Sequence, residues 1–539
     1  MTRIKLSKTF LLIAFLVACT LGVGVFYVLP SWVEHKIQQA AGNSQVALSY
    51  DKMEVSIIRR QVSCLGMEVK GDLQTASGRW AFQHQAKALH VRQIRWLKLL
   101  RSTFHVSEVQ WEAPQINLER DTSGKVRADT ASGQSGKQFR FEIGRLYAQN
   151  GQFIYTDTQD TTARATIDTF SLAIGGIAYQ SGEGLSSKVA DCLSFNFRSC
   201  TMPDRAFLHQ ISLQQLSGDS RDSTLSIKAL SVQSLHGAND FARQMDYRKG
   251  RYALQLPALQ VEGLGYKALL RDSLHAHSIT LESPQLRVVM DKRVPHDSSR
   301  QKSLPHTWLS DLGRSVRVDE IWLRQADIQY AELYAGHEEL GTVDFKNLNA
   351  SIHTVGNDAD FSPITLEVEC SFYGEAPLYL SAQFPVNDPG APFRYNARLE
   401  QFPLPRANAI LAEAAGFRFK SGMVDELTLN AVANAQQVEG EMRFFYKDLD
   451  IQYLDSDSKL VKKILNGVVE GLAFPQENLA GEKHRLGKIH ADRDDSRSVF
   501  HYLWQSALSG IKSTILPNLV LPEELKHTNV EPEEDGLRH

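Results

Sequence analysis

The chain has 539 residues, with 59 Lys and Arg against 62 Asp and Glu and a formal net charge of -3. That near balance lacks the basic face that phosphate binding requires, so nucleic acid is excluded as a main partner. Apolar residues make up 42% of the chain, enough to bury a core and to exclude wholesale disorder.

The chain opens on Arg3, Lys5 and Lys8, followed by Phe10–Leu29, 20 residues without a charge. That is the length a helix needs to cross a bilayer. The preceding bases hold the start in the cytoplasm by the positive-inside rule, which puts everything after Pro30 on the far side. A cleaved signal peptide has a shorter apolar core of ~7–15 residues. The run Leu16-Val17-Ala18-Cys19 resembles a lipoprotein cleavage box, yet the apolar stretch continues well past Cys19. An uncleaved anchor is therefore expected. Ser31–Gly42 reads as a helical turn or two at the membrane surface.

From Val46 onward the dominant signal is period two, the mark of strands with one apolar and one polar face. Phe170, Leu172 and Ile174 alternate with polar residues, as do Ile364, Leu366 and Val368, and then Leu378, Leu380, Ala382 and Phe384. Met442, Phe444 and Tyr446 continue the pattern, as do Leu449, Ile451 and Tyr453. This predicts antiparallel sheet with one wet side.

A stretch occurs twice. Ala88–Asp121 and Ala258–Asp291 share 11 of 34 positions without a gap, among them Leu89, Arg101, His105, Glu112, Pro114 and Gln115. Chance gives about two. The loops Thr122–Gln138 and Lys292–Leu312 follow. Then Ile143, Leu146, Gly151, Phe153 and Tyr155 correspond to Val318, Ile321, Ala326, Ile328 and Tyr330, 175 positions on. Phe170, Leu172 and Ile174 match Leu348, Ala350 and Ile352 at an offset of 178. A duplicated unit of this kind governs the architecture. The repeated Pro114 and Pro284 lack the amide a ladder needs, so they predict a kink or strand edge rather than a binding motif.

Further on, Arg406–Gly416 reads as a short helix stopped by Gly416, followed by a turn at Lys420-Ser421-Gly422. Phe500, Leu503, Trp504, Ala507, Leu508, Ile511 and Ile515 fall on one helical face, expected to cap the open end of the β body. The tail Glu523–His539 carries six acids and two bases and reads as disordered. The expected divisions are 1–30 (cytoplasmic start and span), 31–87, 88–257 and 258–390 (the repeats), 391–455, 456–520 (helical cap) and 521–539.

Chemistry-bearing residues are sparse. Of five cysteines, Cys19 lies in the span and Cys370 on an apolar strand face, while Cys192 and Cys200 are spaced to close a short loop. No Cys-x-x-Cys pair marks a zinc ribbon or redox site. His275 and His277 share a strand face but lack the third and fourth ligands a metal needs. Asp492, Asp494 and Asp495 are interleaved with Arg493 and Arg497, as in a solvated turn. No nucleophile elbow or phosphate loop is present, and Gly22 and Gly24 lie within the span. No catalytic residue, cofactor or metal is expected.

The span ending in Tyr27-Val28-Leu29-Pro30, the strand-Pro-strand stretch Val109–Leu118 with its second copy, Leu146–Tyr155, and Phe417–Tyr453 with Ser421-Gly422 together resemble the AsmA/TamB-like envelope proteins of bacteria with two membranes. The resemblance implies a mainly β fold: an elongated, curved, groove-like antiparallel sheet with an internal duplication, one transmembrane helix and a C-terminal amphipathic helix. It further implies a body hung in the periplasm from the inner membrane, its concave apolar face carrying phospholipid acyl chains, with membrane lipids and other envelope proteins as partners. The candidate lining is Phe170, Leu172, Ile174, Ile364, Leu366, Val368, Leu378, Leu380, Phe384, Phe444 and Tyr446. Roughly 25 strands at ~4.8 Å give at most ~120 Å of sheet, which leaves a partial conduit, a partner-dependent one or a non-transporting relative; a non-enzymatic anchored scaffold or interaction protein is the alternative function class.

Overall fold

The computed structural model describes residues 46–515 apart from 57–58, 76–77, 96–102, 122–139, 158–163, 181–183, 186–190, 205–207, 337–338, 359, 362, 387, 389, 416 and 454–474. The expected span Phe10–Leu29, Cys19, the stretch Ser31–Gly42, the loop Thr122–Gln138, Gly416 and the acidic tail lie outside the described residues. Among the described residues no helix is long and apolar enough to cross a membrane. The protein is mainly β, and its sheet is mixed rather than purely antiparallel. It divides into two units. One draws on 46–241, 252–283 and 314–319, the other on 242–251, 284–313 and 320–515.

In the first unit β1 (Val46–Ser49) and β2 (Lys52–Ser56) both pair with β3 (Gln61–Thr75), which pairs with β4 (Gly78–Arg92). Next, β5 (Thr103–Glu112) and β6 (Gln115–Asp121) lie end to end, antiparallel to β4 on one side. On the other side both run parallel to β7 (Arg140–Asp157). Then β8 (Arg164–Gln180) takes the short β9 (Gly184–Leu185) and β10 (Leu193–Pro203). An antiparallel run follows through β11 (His209–Asp219), β12 (Thr224–Ser234), β13 (Gly250–Glu262) and β14 (Leu274–Glu282). Two short helices, α1 (Ala238–Arg243) and α2 (Tyr266–Leu270), interrupt the connections.

In the second unit β15 (Gln285–Asp291) runs parallel to β16 (Val316–Leu333), whose first residues count with the other unit. An antiparallel run follows: β17 (Gly341–Gly356), β18 (Ile364–Phe372), β19 (Ala376–Phe384), β20 (Phe393–Pro403), β21 (Phe417–Ala433), β22 (Gln437–Tyr453) and β23 (Leu486–Asp492). The helices are α3 (Pro305–Ser310), α4 (Asn408–Ala415), led in by a 3-10 turn at Leu404–Ala407, and α5 (Val499–Ile515). The expected helical segment 456–520 thus also contains a strand, β23.

The duplication holds to the residue. Ala88 faces Glu112 and Val91 faces Val109; at an offset of 170, Ala258 faces Glu282 and Val261 faces Ile279. Ile116 sits beside Phe153 and Leu118 beside Tyr155, as Leu286 sits beside Ile328 and Val288 beside Tyr330. The parallel pairings explain the two long loops of the sequence. A strand that must restart at the same end as its neighbour needs a crossover of ~a dozen residues or more, whereas a hairpin needs two.

Each proline follows a residue with positive φ, Ala113 at 46° and Ser283 at 48°. Pro114 and Pro284 lack the amide, but their carbonyls accept from Gln152 N (2.7 Å) and Asp327 N (2.9 Å). The ladder therefore continues across the break. Asn150, Ser199, Ala229, Gln325, Asn347, Gln401 and Asp448 likewise have φ between 47° and 55° within strands. Each such residue costs ~1–2 kcal/mol in backbone strain, and register shifts at Ala148/Gly151 and Lys346/Asn349 show that bulges accompany Asn150 and Asn347. A bulge bends and twists a strand and resets which side chains face the core.

The last strand would leave an open edge in the second unit, and α5 closes it. His490 N donates to Ser509 Oγ (3.0 Å), which donates back to His490 O (2.8 Å), and Lys488 N donates to Ser513 Oγ (2.9 Å). Glycines permit the approach: a side chain on Gly487 would meet Thr514 Oγ1 at 2.3 Å, and one on Gly510 would meet Met442 Cε at 2.7 Å. The buried face of α5 carries Tyr502, Ser506, Leu508, Ser513, Thr514 and Ile515, while Phe500, placed on the apolar face by periodicity, is 78% exposed. A Ser509→Ala/Ser513→Ala double variant strands two edge amides, each worth ~1–3 kcal/mol. Its urea midpoint is expected to fall accordingly; an unchanged midpoint would show that the serines do not cap the edge.

Candidate functional site: apolar rows across the strands

Because partners in a ladder share a face, alternation along each strand becomes rows across the sheet. In the first unit Phe170, Phe197, Leu216, Ile227, Leu259 and Leu281 are successive partners across β8 and β10 to β14. Leu172, Phe195, Gly218, Leu225, Val261 and Ile279 form a second row alongside. Phe170, Leu172 and Ile174 are buried, whereas Leu216, Leu225, Ile227 and Leu259 are only half-buried.

The second unit has three such rows. One runs Ala350, Val368, Leu380, Ala397, Leu429 and Met442. The next runs Ile352, Leu366, Ala382, Tyr395, Ala431, Gly440 and Ile489. The third runs Cys370, Leu378, Leu399, Leu427 and Phe444. Of the expected lining, Ile364 pairs with Phe384 and Val368 with Leu380, so these residues do come together. Phe170, Leu172 and Ile174 belong to the other unit.

Cover is uneven along the rows. Phe444 and Tyr446 are 0% exposed. They lie in the core to which Tyr502, Leu508 and Ile515 of α5 belong, together with Leu404 and Ala407 of the 3-10 turn and Ile410 and Leu411 of α4. Phe384 and Phe393 stack at 5.1 Å and meet the ring of His306 on α3, each at 5.7 Å. Between these covers Leu366, Val368, Leu378, Leu380, Ala397 and Leu399 stay half-buried. Of these, Leu366, Leu380, Ala397 and Leu399 pack against the covered core.

Polar groups interrupt the lining at few points. His84 and Trp111 are buried with ring centroids 4.9 Å apart, and neither His84 Nε2 nor Trp111 Nε1 has a hydrogen-bond partner. Burial holds the His84 imidazole down to about 4. The second copy of the repeat has Leu254 and Leu281 at these positions. The thiols of Cys64, Cys200 and Cys370 are each pushed up to about 11, chiefly by burial, so they behave as small apolar side chains. Cys192 and Cys200 are both free rather than joined.

The other candidates are used locally. His275 Nε2 bonds Ser315 Oγ (3.0 Å), and His277 Nδ1 bonds Asp319 Oδ2 (2.9 Å). Asp494 accepts from Ser496 N (3.1 Å) and Arg497 Nε (2.9 Å), holding the turn before α5. Among the described residues no group of three or more His, Cys, Asp and Glu is placed to hold a metal. Comparison with protein-family models gives no match, and no curated protein matches the chain.

The His84 geometry sets a pH dependence. Its folded pKa lies below the unfolded value of ~6.5, so acid favours the unfolded state, which takes the proton first. The stability it contributes is complete above pH ~6.5 and is lost as pH falls toward 4, up to ~3 kcal/mol in all. His84→Leu, which installs the residue of the second copy, is expected to flatten this part of the profile and raise the urea midpoint at pH 5. An unaltered slope between pH 4 and 6.5 would remove His84 as its source.

Proposed function

We propose that the half-covered apolar rows bind phospholipid acyl chains, and that the protein is a non-enzymatic, inner-membrane-anchored periplasmic lipid carrier or conduit of the AsmA-like kind. The observation that carries this reading is the mouth in the second unit at Leu366, Leu378, Leu380 and Leu399, contiguous and half-buried between covered ends. Contiguous exposed apolar surface beyond a few hundred Å2 calls for an occupant. Each methylene laid along it contributes ~0.8 kcal/mol, so about ten are worth ~8 kcal/mol before ordering costs. The uncharged stretch Phe10–Leu29 would keep such a surface next to a source of acyl chains.

A second reading, an anchored scaffold, is favoured by the far ends of the same rows. There Met442, Phe444 and Tyr446 are filled in by the protein's own core. Leu380→Asp separates the two. A carboxylate in a lipid-filled mouth blocks loading while the fold survives, so lipid copurifying with the full chain should drop at least tenfold, with circular dichroism unchanged. In a sealed core the same change unfolds the chain, because a buried unpaired charge is too costly. A folded variant that keeps its full lipid complement removes the carrier reading.

Topology is tested apart from lipid binding. A reporter fused after His539 is expected to be active only on the periplasmic side, given Arg3, Lys5 and Lys8 ahead of the span. Activity confined to the cytoplasm contradicts the anchor.

A further inference from the structure

The polar side of the second unit's sheet carries a feature that acyl chains do not use. A depression of about 520 Å3 crosses β18 to β22 on this side. It runs between two ladders of side chains, polar except at Val432. Glu367, Ser381, Asn396 and Asn430 are successive partners on one side, and Thr365, Gln383, Arg394, Val432 and Glu439 on the other. The floor between them is the row Leu366, Ala382, Ala431 and Gly440, whose side chains, where present, point the opposite way.

We propose that this cleft binds a neutral glycan chain lying across the strands. Successive strands present a new hydrogen-bonding group every ~4.8 Å, a spacing that suits a linear polymer better than a compact ligand. The groups are those that read hydroxyls: Asn and Gln offer donor and acceptor together, Ser does both, and Arg and Glu bond in pairs. Asn396 Nδ2 makes only a long bond to Ser381 Oγ (3.4 Å). Among the described residues, Glu367, Arg394 and Asn430 make no side-chain hydrogen bond or ion pair, so their capacity is turned to solvent. Tyr379, 46% exposed and two residues before Ser381 on the same strand face, supplies a ring against which the C–H face of a sugar can pack. Charge narrows the class further. Glu367 and Glu439 outnumber Arg394 in the cleft, which disfavours anionic polymers such as nucleic acids and acidic polysaccharides.

The test is calorimetric titration of the full chain with chitohexaose, cellohexaose and maltohexaose as probes, and with heparin as the anionic comparison. At least one neutral hexamer is expected to bind, and heparin is not. Asn396→Ala/Asn430→Ala should weaken binding at least tenfold, and Tyr379→Ala severalfold. All three positions are exposed, so the circular dichroism spectrum and urea midpoint should not move, and Leu380→Asp on the opposite face should leave glycan affinity intact. No heat with any neutral hexamer at millimolar concentration overturns the proposal. So does preferential heparin binding, or binding undiminished in the double asparagine variant.

Discussion

A sheet whose strands alternate strictly in polarity has one face that must be kept from water, and the second unit is built around that constraint. Its three transverse apolar rows are covered from the β22–β23 side by α5 and from the strand ends by α3, α4 and the 3-10 turn. Leu366, Leu380 and Leu399 pack against the covered core and, like Leu378, stay half-buried. The same alternation leaves an opposite face of Ser, Asn, Glu and Arg. One backbone pattern therefore generates both surfaces, the apolar one proposed to take acyl chains and the polar one proposed to take a glycan.

Electrostatics reinforces the unit where apolar packing runs out. Glu332 is buried, yet Lys292 Nζ lies 2.6 Å away and the Tyr330 and Tyr334 hydroxyls donate to it. Burial pushes its carboxyl up, but these three partners outweigh that effect and hold it below the usual range. Nearby, the Arg248 guanidinium donates to the carbonyls of Asp291, Lys292 and Val294, each at 3.1 Å. The chain leaving β15 is thereby fixed through its backbone carbonyls, at the start of the crossover that the parallel pairing with β16 requires.

Much of this was legible in the residues. The offset of 170 between Ala88 and Ala258 carries over into identical ladder register, because a slip of one residue would turn every side chain to the wrong face. The shift to 175 at Phe153 and Ile328 survives as well. Strand direction was not legible: alternation looks the same in parallel and antiparallel pairs, and only the length of the connections 122–139 and 292–315 hinted at crossovers. The roles of Ser506, Ser509 and Ser513 were not legible either, because nothing in the residues marks their partners as a strand edge and Tyr395 rather than water. Phe500 was assigned to the apolar stripe by spacing alone, at the first turn, where the packing it would have joined does not reach. The left-handed residues Asn150, Ala229 and Gln401 also leave little trace, as only Asn among these residue types favours positive φ.

The central claim is that an acyl chain occupies one face of the β18–β20 sheet and not the other. Placing a photo-crosslinking phenylalanine analogue at Leu380 and, separately, at its neighbour Ser381, then irradiating the full chain in the presence of phospholipid vesicles, reads this directly. Adducts with the mass of a phospholipid at position 380 and none at 381 are the predicted result. Equal labelling at both positions, or none at either, contradicts it.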